Sequence, residues 1–282
     1  NITLMEDGIL IAPAPYSNPA AYYFPTFKRM SSLEVLKGAP LLRYGPQTTG
    51  GVINLISTPI PNERQGYVET VTNERGSTDV HATYGDTNGD WGYLFETVQR
   101  SAQGFKDIDR SNRNSGFDIS DYVGKLRWQG DRQSVTAKLQ YSEETSNSTY
   151  VGLTDADFNQ DPNRRYGLSS PDQMDNTHSG VSLTHQFEWS DNVSSTTTLY
   201  RNDFKRNWYK LSGAGNIIDQ ANAGDANAQG ILDGTIDASG LEYKNNARDY
   251  LSQGVQTNFD VNIGNHEFDF GARIHEDEMD RF

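Results

Sequence analysis

The feature that most constrains this chain is a repeated alternation of apolar and polar residues. In "SVTAKLQY", residues 134–141, Val135, Ala137, Leu139 and Tyr141 alternate with Ser134, Thr136, Lys138 and Gln140. Successive side chains of a strand point to opposite faces, so this run has one apolar and one polar face. The same period of two sets Tyr122, Leu126 and Trp128 against Lys125, Arg127 and Gln129. It sets Val181, Leu183, Phe187 and Trp189 against Ser182, Thr184, Gln186 and Glu188, with His185 interrupting the apolar side. Val255, Phe259, Val261 and Ile263, and then Phe268, Phe270, Ala272 and Ile274, repeat it late in the chain. With weaker candidates near 66–73, 78–85, 91–99 and 193–205, the pattern predicts about nine strands from residue 66 onward.

The connections add direction. Short turns are expected at 86–90, 130–132, 191–192 and 263–266, and long connections near 100–117, 143–177 and 208–247. Apart from a brief turn at 74–77, short and long alternate. A meander with short turns at one end and long loops at the other is the pattern of an outer-membrane barrel. Trp91, Trp128 and Trp189 each stand close to a short turn, as an interfacial aromatic girdle requires. A soluble β-sandwich or barrel with its tryptophans in the core is the competing reading.

Composition excludes several classes. Hydrophobic residues are 34% of the chain and mean hydropathy is −0.73, yet aromatics reach 11%. That is too aromatic for disorder and too polar for helical membrane spans. No run approaches the roughly 20 apolar residues of a membrane helix, whereas a barrel wall escapes that test because only alternate residues face lipid. The absence of cysteine removes disulfides, thiolate metal sites and a cysteine nucleophile. A formal charge of −14 argues against a nucleic-acid partner. The N-terminal segment has neither the basic segment nor the apolar core of a signal peptide.

Ahead of the strands lies a compact module, "SSLEVLKGAPLLRYGPQTTGGVINLIST". Leu33, Val35 and Leu36 read as a short strand closed by Lys37 and Gly38. Gly45, Pro46, Gly50 and Gly51 supply a sharp turn and a close backbone approach. Val52 to Ile56 form a nearly continuous apolar strand, as expected when both faces are buried. Pro59 and Pro61 read as a linker. A phosphate-binding loop is excluded, because no Gly-Lys-Ser/Thr follows and no helix is signalled.

This module resembles the closing segment of the plug domain of TonB-dependent outer-membrane receptors: a Leu-Glu-Val strand, a Tyr-Gly turn, and Gly-Gly-Val-Ile-Asn. Lys37 stands where the family usually has arginine. With "APYSNPAAYYFPT" and "GLTDADFNQD", the chain looks most like the ferric citrate and ferric siderophore branch. The resemblance implies an all-β membrane protein, an antiparallel outer-membrane barrel preceded by part of an α+β plug. Residues 1–61 would be the C-terminal part of the plug and 62–282 the N-terminal part of a barrel of about 22 strands. An open sheet leaves unpaired edges that hydrocarbon does not tolerate, so further strands are expected. Glu276, Glu278 and Asp280 would put carboxylates on the outward face before Phe282, which reads as an interrupted strand rather than a closing one.

The implied function is energy-coupled uptake of a ferric chelate in the bacterial outer membrane. The implied partners are the chelate, the TonB inner-membrane complex and outer-membrane lipid. No resident cofactor is expected, since iron travels inside the chelate. Apical plug residues nominate Tyr16, Ser17 and Asn18 at one turn and Arg43, Tyr44 and Gln47 at another. An anionic chelate would need guanidinium groups, which pair carboxylates bidentately; Arg164, Arg165, Arg201, Arg206 and Arg248 stand on or near the outer loops. The surrounding acidity of Asp155, Asp157, Asp161, Asp172 and Asp175 counts against an anionic ligand.

Asp155, Asp157 and Asp161 have calcium-like spacing but lack the turn glycine and closing glutamate. Asp86, Asn88 and Asp90 surround an Asn-Gly hairpin signal. The five histidines show no ligand spacing, no Gly-x-Ser-x-Gly turn is present, and the adjacent Glu143 and Glu144 point to opposite faces of a strand. No enzyme is expected. Other readings keep the architecture with cobalamin, an oligosaccharide or another metal chelate as cargo, or make the chain a soluble β-rich carbohydrate-binding or adhesive protein.

Overall fold

The computed structural model describes residues 2–11, 13, 23–38 and 50–282. A four-stranded sheet comes first: β1 (Thr3–Glu6), β2 (Ile9–Leu10), β3 (Met30–Leu36) and β4 (Val52–Ser57), in the order β2-β1-β4-β3. β4 runs parallel to β1 and antiparallel to β3, which is why its sequence is apolar almost throughout. Its two faces pack separately: Leu55 joins Leu4 and Ile11, while Val52 joins Met5 and Leu10.

Two backbone positions require their residues. β1 turns into β2 through Asp7 and Gly8, both at positive φ (52° and 76°), the conformation that favours Asp-Gly in two-residue hairpins. Gly51 sits at φ +120°, and a Cβ there would stand 3.2 Å from the Leu36 carbonyl oxygen. The close approach expected of the Gly-Gly pair is thus to the end of β3. A short 3-10 turn at Phe27–Arg29 leads into β3 and buries Arg29 at its end.

The large sheet follows. Its elements in chain order are β5 (Gln65–Thr72), β6 (Ser77–Asn88), β7 (Trp91–Ala102), β8 (Asp107–Ile108), β9 (Phe117–Gln129), β10 (Gln133–Ser146), α1 (Asp155–Gln160), β11 (Arg164–Arg165), β12 (Gln173–Ser190), β13 (Val193–Ser212), α2 (Gly215–Asn222), α3 (Ala226–Asp233), β14 (Glu242–Ile263) and β15 (His266–Arg281). Nine of these strands form one antiparallel meander, β5-β6-β7-β9-β10-β12-β13-β14-β15, with every long strand beside its sequence neighbour. The brief β5–β6 turn falls at the end that carries the long connections, so it keeps the alternation of ends instead of breaking it.

The strands reach further toward the long loops than alternation indicates. β14 has 22 residues, which at 3.3 Å per residue is roughly 70 Å, more than a ~30 Å hydrocarbon core needs. Its outer end is polar on both faces, so a two-period test detects only the part that crosses the apolar belt.

Side-chain parity gives the sheet an inner and an outer face. Opposite partners share a face, and the small sheet bonds to Glu96, Asp121, Lys125 and Lys138, which defines that face as inner. The outer face carries the apolar belt, with Phe95, Leu139, Val181 and Phe270 exposed. Trp91 stands opposite Trp128 near the short-turn end, and Tyr122 stands opposite Tyr141 higher on the same face. Glu276, Glu278 and Asp280 also face outward, beyond Ile274 at the long-loop end.

Candidate functional site: the inner wall and its lock

The inner face assembles three tiers of polar and aromatic groups against the small sheet. The lowest is a buried ionic lock. Arg29, 1% exposed, donates from Nη1 and Nη2 to the Glu6 carboxylate and from Nε to Asp121 of β9 at 2.8 Å. Lys138 of β10 donates to Glu6 and, at 2.7 Å, to Asp7. Lys125, directly opposite Lys138 in the register, donates to Ser57 Oγ and the Thr58 carbonyl, both at 2.6 Å.

Two lysines facing each other across a strand pair repel; the Glu6 and Asp7 carboxylates and the Ser57 hydroxyl hold them together. Burial pushes the Glu6 carboxyl up, but the charges of Lys138 and Arg29 and their hydrogen bonds win and hold it well below the ordinary carboxylate range. For Asp7, too, burial pushes the carboxyl up, but the charges of Lys138 and Lys125 hold it below its ordinary value. Beside the lock, Thr58 Oγ1 and His81 Nε2 both meet Glu96 Oε1, at 2.8 and 2.7 Å.

The middle tier is aromatic. Tyr23, just ahead of the 3-10 turn, stacks on His178 of β12 with centroids 3.8 Å apart and planes 9° apart. Phe204 of β13 and Tyr250 of β14 complete its pocket. Its hydroxyl lies 3.3 Å from Arg29 Nη2, so one ring links this tier to the lock.

The upper tier is basic. Arg206, Arg248 and Arg281 stand opposite one another across β13, β14 and β15, and Lys210 stands opposite Lys244 two same-face positions nearer the loops. Arg206 is buried and donates to Asn246 Oδ1 at 3.0 Å, while Arg248 is half-buried beside Tyr250. Lys210 Nζ lies 3.3 Å from the ring centroid of Tyr150 and 3.9 Å from that of Trp208, and the two rings meet edge to face.

Above the wall the long loops pack on each other. Val151, Tyr166, Leu211, Ala214 and Leu232 make an apolar cluster that joins them. Arg164 bridges Asp109, Asp157 and Asp233 at 2.7–2.9 Å. Asp172, buried, accepts from the Tyr150 and Leu211 backbone N–H groups and so pins one loop to the end of β13.

Of the sequence-nominated residues, Arg206 and Arg248 come together on the inner wall. Arg201 does not. It stands opposite Val181 and Gln253 on the outward face, paired with Asp203 at 2.8 and 2.9 Å, because an odd-numbered position on β13 points away from the lumen. Arg164 is consumed by three carboxylates, and Arg165 bonds the Pro162 carbonyl. Tyr16, Ser17, Asn18, Arg43, Tyr44 and Gln47 lie outside the described residues.

The calcium-like spacing of Asp155, Asp157 and Asp161 has another explanation. Asp157 accepts hydrogen bonds from Tyr166, Arg164 and Gln229 and packs beside the Thr154 helix cap. Burial raises that carboxyl, but these donors bring it below its ordinary value. Among the described residues no group of three or more His, Cys, Asp or Glu side chains is placed to hold a metal ion. The sequence reading missed the lock and the Lys210–Lys244 pair. Parity would have found the latter, since Lys210 and Arg206 are four apart on one face.

The geometry of a small sheet keyed into the inner face of a meander with an apolar outer belt has counterparts. The ferric citrate transporter FecA, unliganded, matches 99% of this chain and 39% of its own with a TM-score of 0.76 at 20% identity. The fold is that of the TonB-dependent outer-membrane receptors. The siderophore receptor PiuA of Acinetobacter baumannii matches 99% of the chain and 38% of its own, at a TM-score of 0.75 and 13% identity. In sequence, a probable TonB-dependent siderophore receptor, PirA of Acinetobacter baumannii, is 24% identical over an alignment of 195 positions that covers 61% of the chain and 24% of that receptor. No protein-family model matches. The chain therefore spans about a quarter of the length of the curated relative and about two-fifths of those solved structures. All three are receptors or transporters, not enzymes.

Proposed function

We propose that this chain is part of a TonB-dependent receptor that captures an anionic ferric chelate at the upper tier of the inner wall. Residues 1–61 supply the C-terminal part of the plug and 62–282 the N-terminal part of the barrel. The TonB complex of the inner membrane draws on the plug to admit the cargo. The observation that carries the reading is the row Arg206–Arg248–Arg281 with Lys210 and Lys244 beside it. Five cations share one inner wall in a chain of net charge −14, directly above the plug's Tyr23. Planar guanidinium groups suit carboxylate or phenolate oxygens around a metal, and a partly dry wall strengthens each contact. The relatives named for ferric citrate and siderophores support this cargo class.

The test is direct binding of ferric citrate and of an uncharged ferric siderophore to the full-length receptor in detergent. A charge-assisted hydrogen bond contributes ~1.5–3 kcal/mol, so Arg206→Gln or Arg248→Gln should weaken ferric citrate by ~10- to 100-fold. The uncharged siderophore should be unaffected. Equal loss for both ligands would mean that the arginines support the wall and do not read charge.

A further inference from the structure

The outward position of Arg201 points to a second binding site. Two adjacent register rows on the outer face line a groove of about 1230 Å³, running from Gly66 and Val68 on β5 to Arg201 and Asp203 on β13. It crosses seven strands, so at ~4.8 Å per strand it is roughly 29 Å long. One leaflet of hydrocarbon is about half of a ~30 Å core, so the groove is long enough for a lipid tail lying obliquely on the wall.

Its middle is a dip. Gly124 stands between Phe95 and Leu139 in the register, and a Cβ at Gly124 would meet nothing nearer than the Phe95 ring at 3.9 Å. Phe95 and Leu139 themselves project, 63% and 61% exposed. The groove is continuous with the belt that this fold turns toward lipid. Only its β13 end is charged on the outer face, where Arg201 and Asp203 hold each other.

That end selects among lipids. An exposed guanidinium–carboxylate pair offers one partner of each sign, which complements a head group carrying a phosphate and an ammonium. The outer face nearer the loops carries Asp118, Glu143, Asp175 and Asp249 against Lys205, a balance that repels a polyanionic head group. We infer that the groove holds one zwitterionic phospholipid, its acyl chain over Gly124 between Phe95 and Leu139, its phosphate on Arg201 and its ammonium on Asp203.

The test uses the full-length receptor, delipidated in detergent and offered phosphatidylethanolamine, phosphatidylglycerol or lipid A, with retained lipid read by native mass spectrometry. The expected result is one phosphatidylethanolamine per barrel, preferred at least tenfold over either anionic lipid. Gly124→Trp, which fills the dip, should reduce retention at least tenfold. Asp203→Asn, at an exposed position that leaves folding intact, should abolish the preference over phosphatidylglycerol. Equal retention of the two phospholipids by the unmodified receptor, preference for lipid A, or unchanged retention in Gly124→Trp would each overturn the inference.

Discussion

Glu6→Gln is the sharpest perturbation of the plug–barrel lock. The substitution keeps the shape and removes one charge from a carboxylate that Arg29 and Lys138 both contact, all three largely buried. At an effective dielectric of 20, each contact near 3 Å amounts to about 5 kcal/mol before the cost of desolvating the ions is subtracted. Removing one partner of a buried pair leaves the other charge uncompensated and typically costs ~3–5 kcal/mol. Arg29 retains Asp121, and Lys138 retains Asp7, so the lower half of that range is expected. The assay is urea titration of the full-length receptor in detergent, following protease cleavage within the plug so that plug release is read separately from barrel unfolding. Adding Arg29→Met to Glu6→Gln should not restore stability, because the buried Asp121 then loses its Arg29 partner. A loss below ~1 kcal/mol for Glu6→Gln would refute the claim that the lock holds the plug. The pH dependence follows from the depressed Glu6 and Asp7 carboxyls. A carboxyl whose folded value lies below its unfolded value stabilises above the unfolded value, near 4.5 for Glu6, and loses that contribution as pH falls toward the folded one. Plug release should be the same at pH 7 and 6 and become easier only in more acidic buffer.

Three further outcomes test individual contacts. Tyr23→Ala removes a ring stacked on His178 and should destabilise plug docking by ~3–5 kcal/mol, whereas Tyr23→Phe, which loses a 3.3 Å hydrogen bond, should cost about 1 kcal/mol; both are read in the same urea titration. Gly51→Ala must place a side chain at φ +120° against the Leu36 carbonyl and should destabilise the plug sheet by ~1–3 kcal/mol, seen as faster amide exchange in β3 and β4. Asp157→Asn breaks the charge balance with Arg164 and should loosen the loop cluster, measured as increased exchange over residues 154–166 with β12 and β13 unchanged.

The strands were legible where one face is apolar. Val135 to Tyr141 and Val181 to Trp189 alternate because one face meets the belt, and the tryptophans mark its edge. Above the belt both faces are polar, so the outer ends of β13 and β14 carry no periodic signal and the long loops appeared longer than they are. β4 could be read as a central strand from its unbroken apolar run. The lock could not. Lys125 and Lys138 appear in sequence as ordinary members of a polar face, and only the fold brings Glu6, more than a hundred residues away, to Lys138. The Asp7–Gly8 hairpin that sets Glu6 in place did carry a sequence signal, an Asp-Gly pair flanked by apolar residues. Arg201 was misplaced for a definite reason: nearness to a loop does not fix the face of a strand, but parity does, and Leu199 two residues earlier already marks the outward side.

Net charge misleads here because the fold separates the signs. Of the acidic residues that argued against an anionic ligand in sequence, Asp157 joins Asp109 and Asp233 around Arg164 in the loops, Asp172 accepts from the Tyr150 backbone N–H, and Asp175 stands on the outer face. On the inner face of β13, β14 and β15 near the loops, Arg206, Lys210, Lys244, Arg248 and Arg281 outnumber Glu242 and Asp277. A cleft of one sign with low-dielectric walls concentrates its field inward, while an acidic exterior acts at longer range and is screened within ~8–10 Å at physiological salt. An anion approaching this surface is thus repelled weakly from afar and attracted strongly once inside the mouth. Added salt should therefore leave the approach as fast or slightly faster, by screening the exterior repulsion, and weaken the final contact only a little, because Arg206 and Arg248 meet a ligand seated down to Tyr23 at hydrogen-bond distance within a largely buried wall. If the affinity of an anionic chelate instead falls steeply with salt, the contact lies at the exposed mouth near Lys244 and Arg281, and the buried Arg206 does not take part.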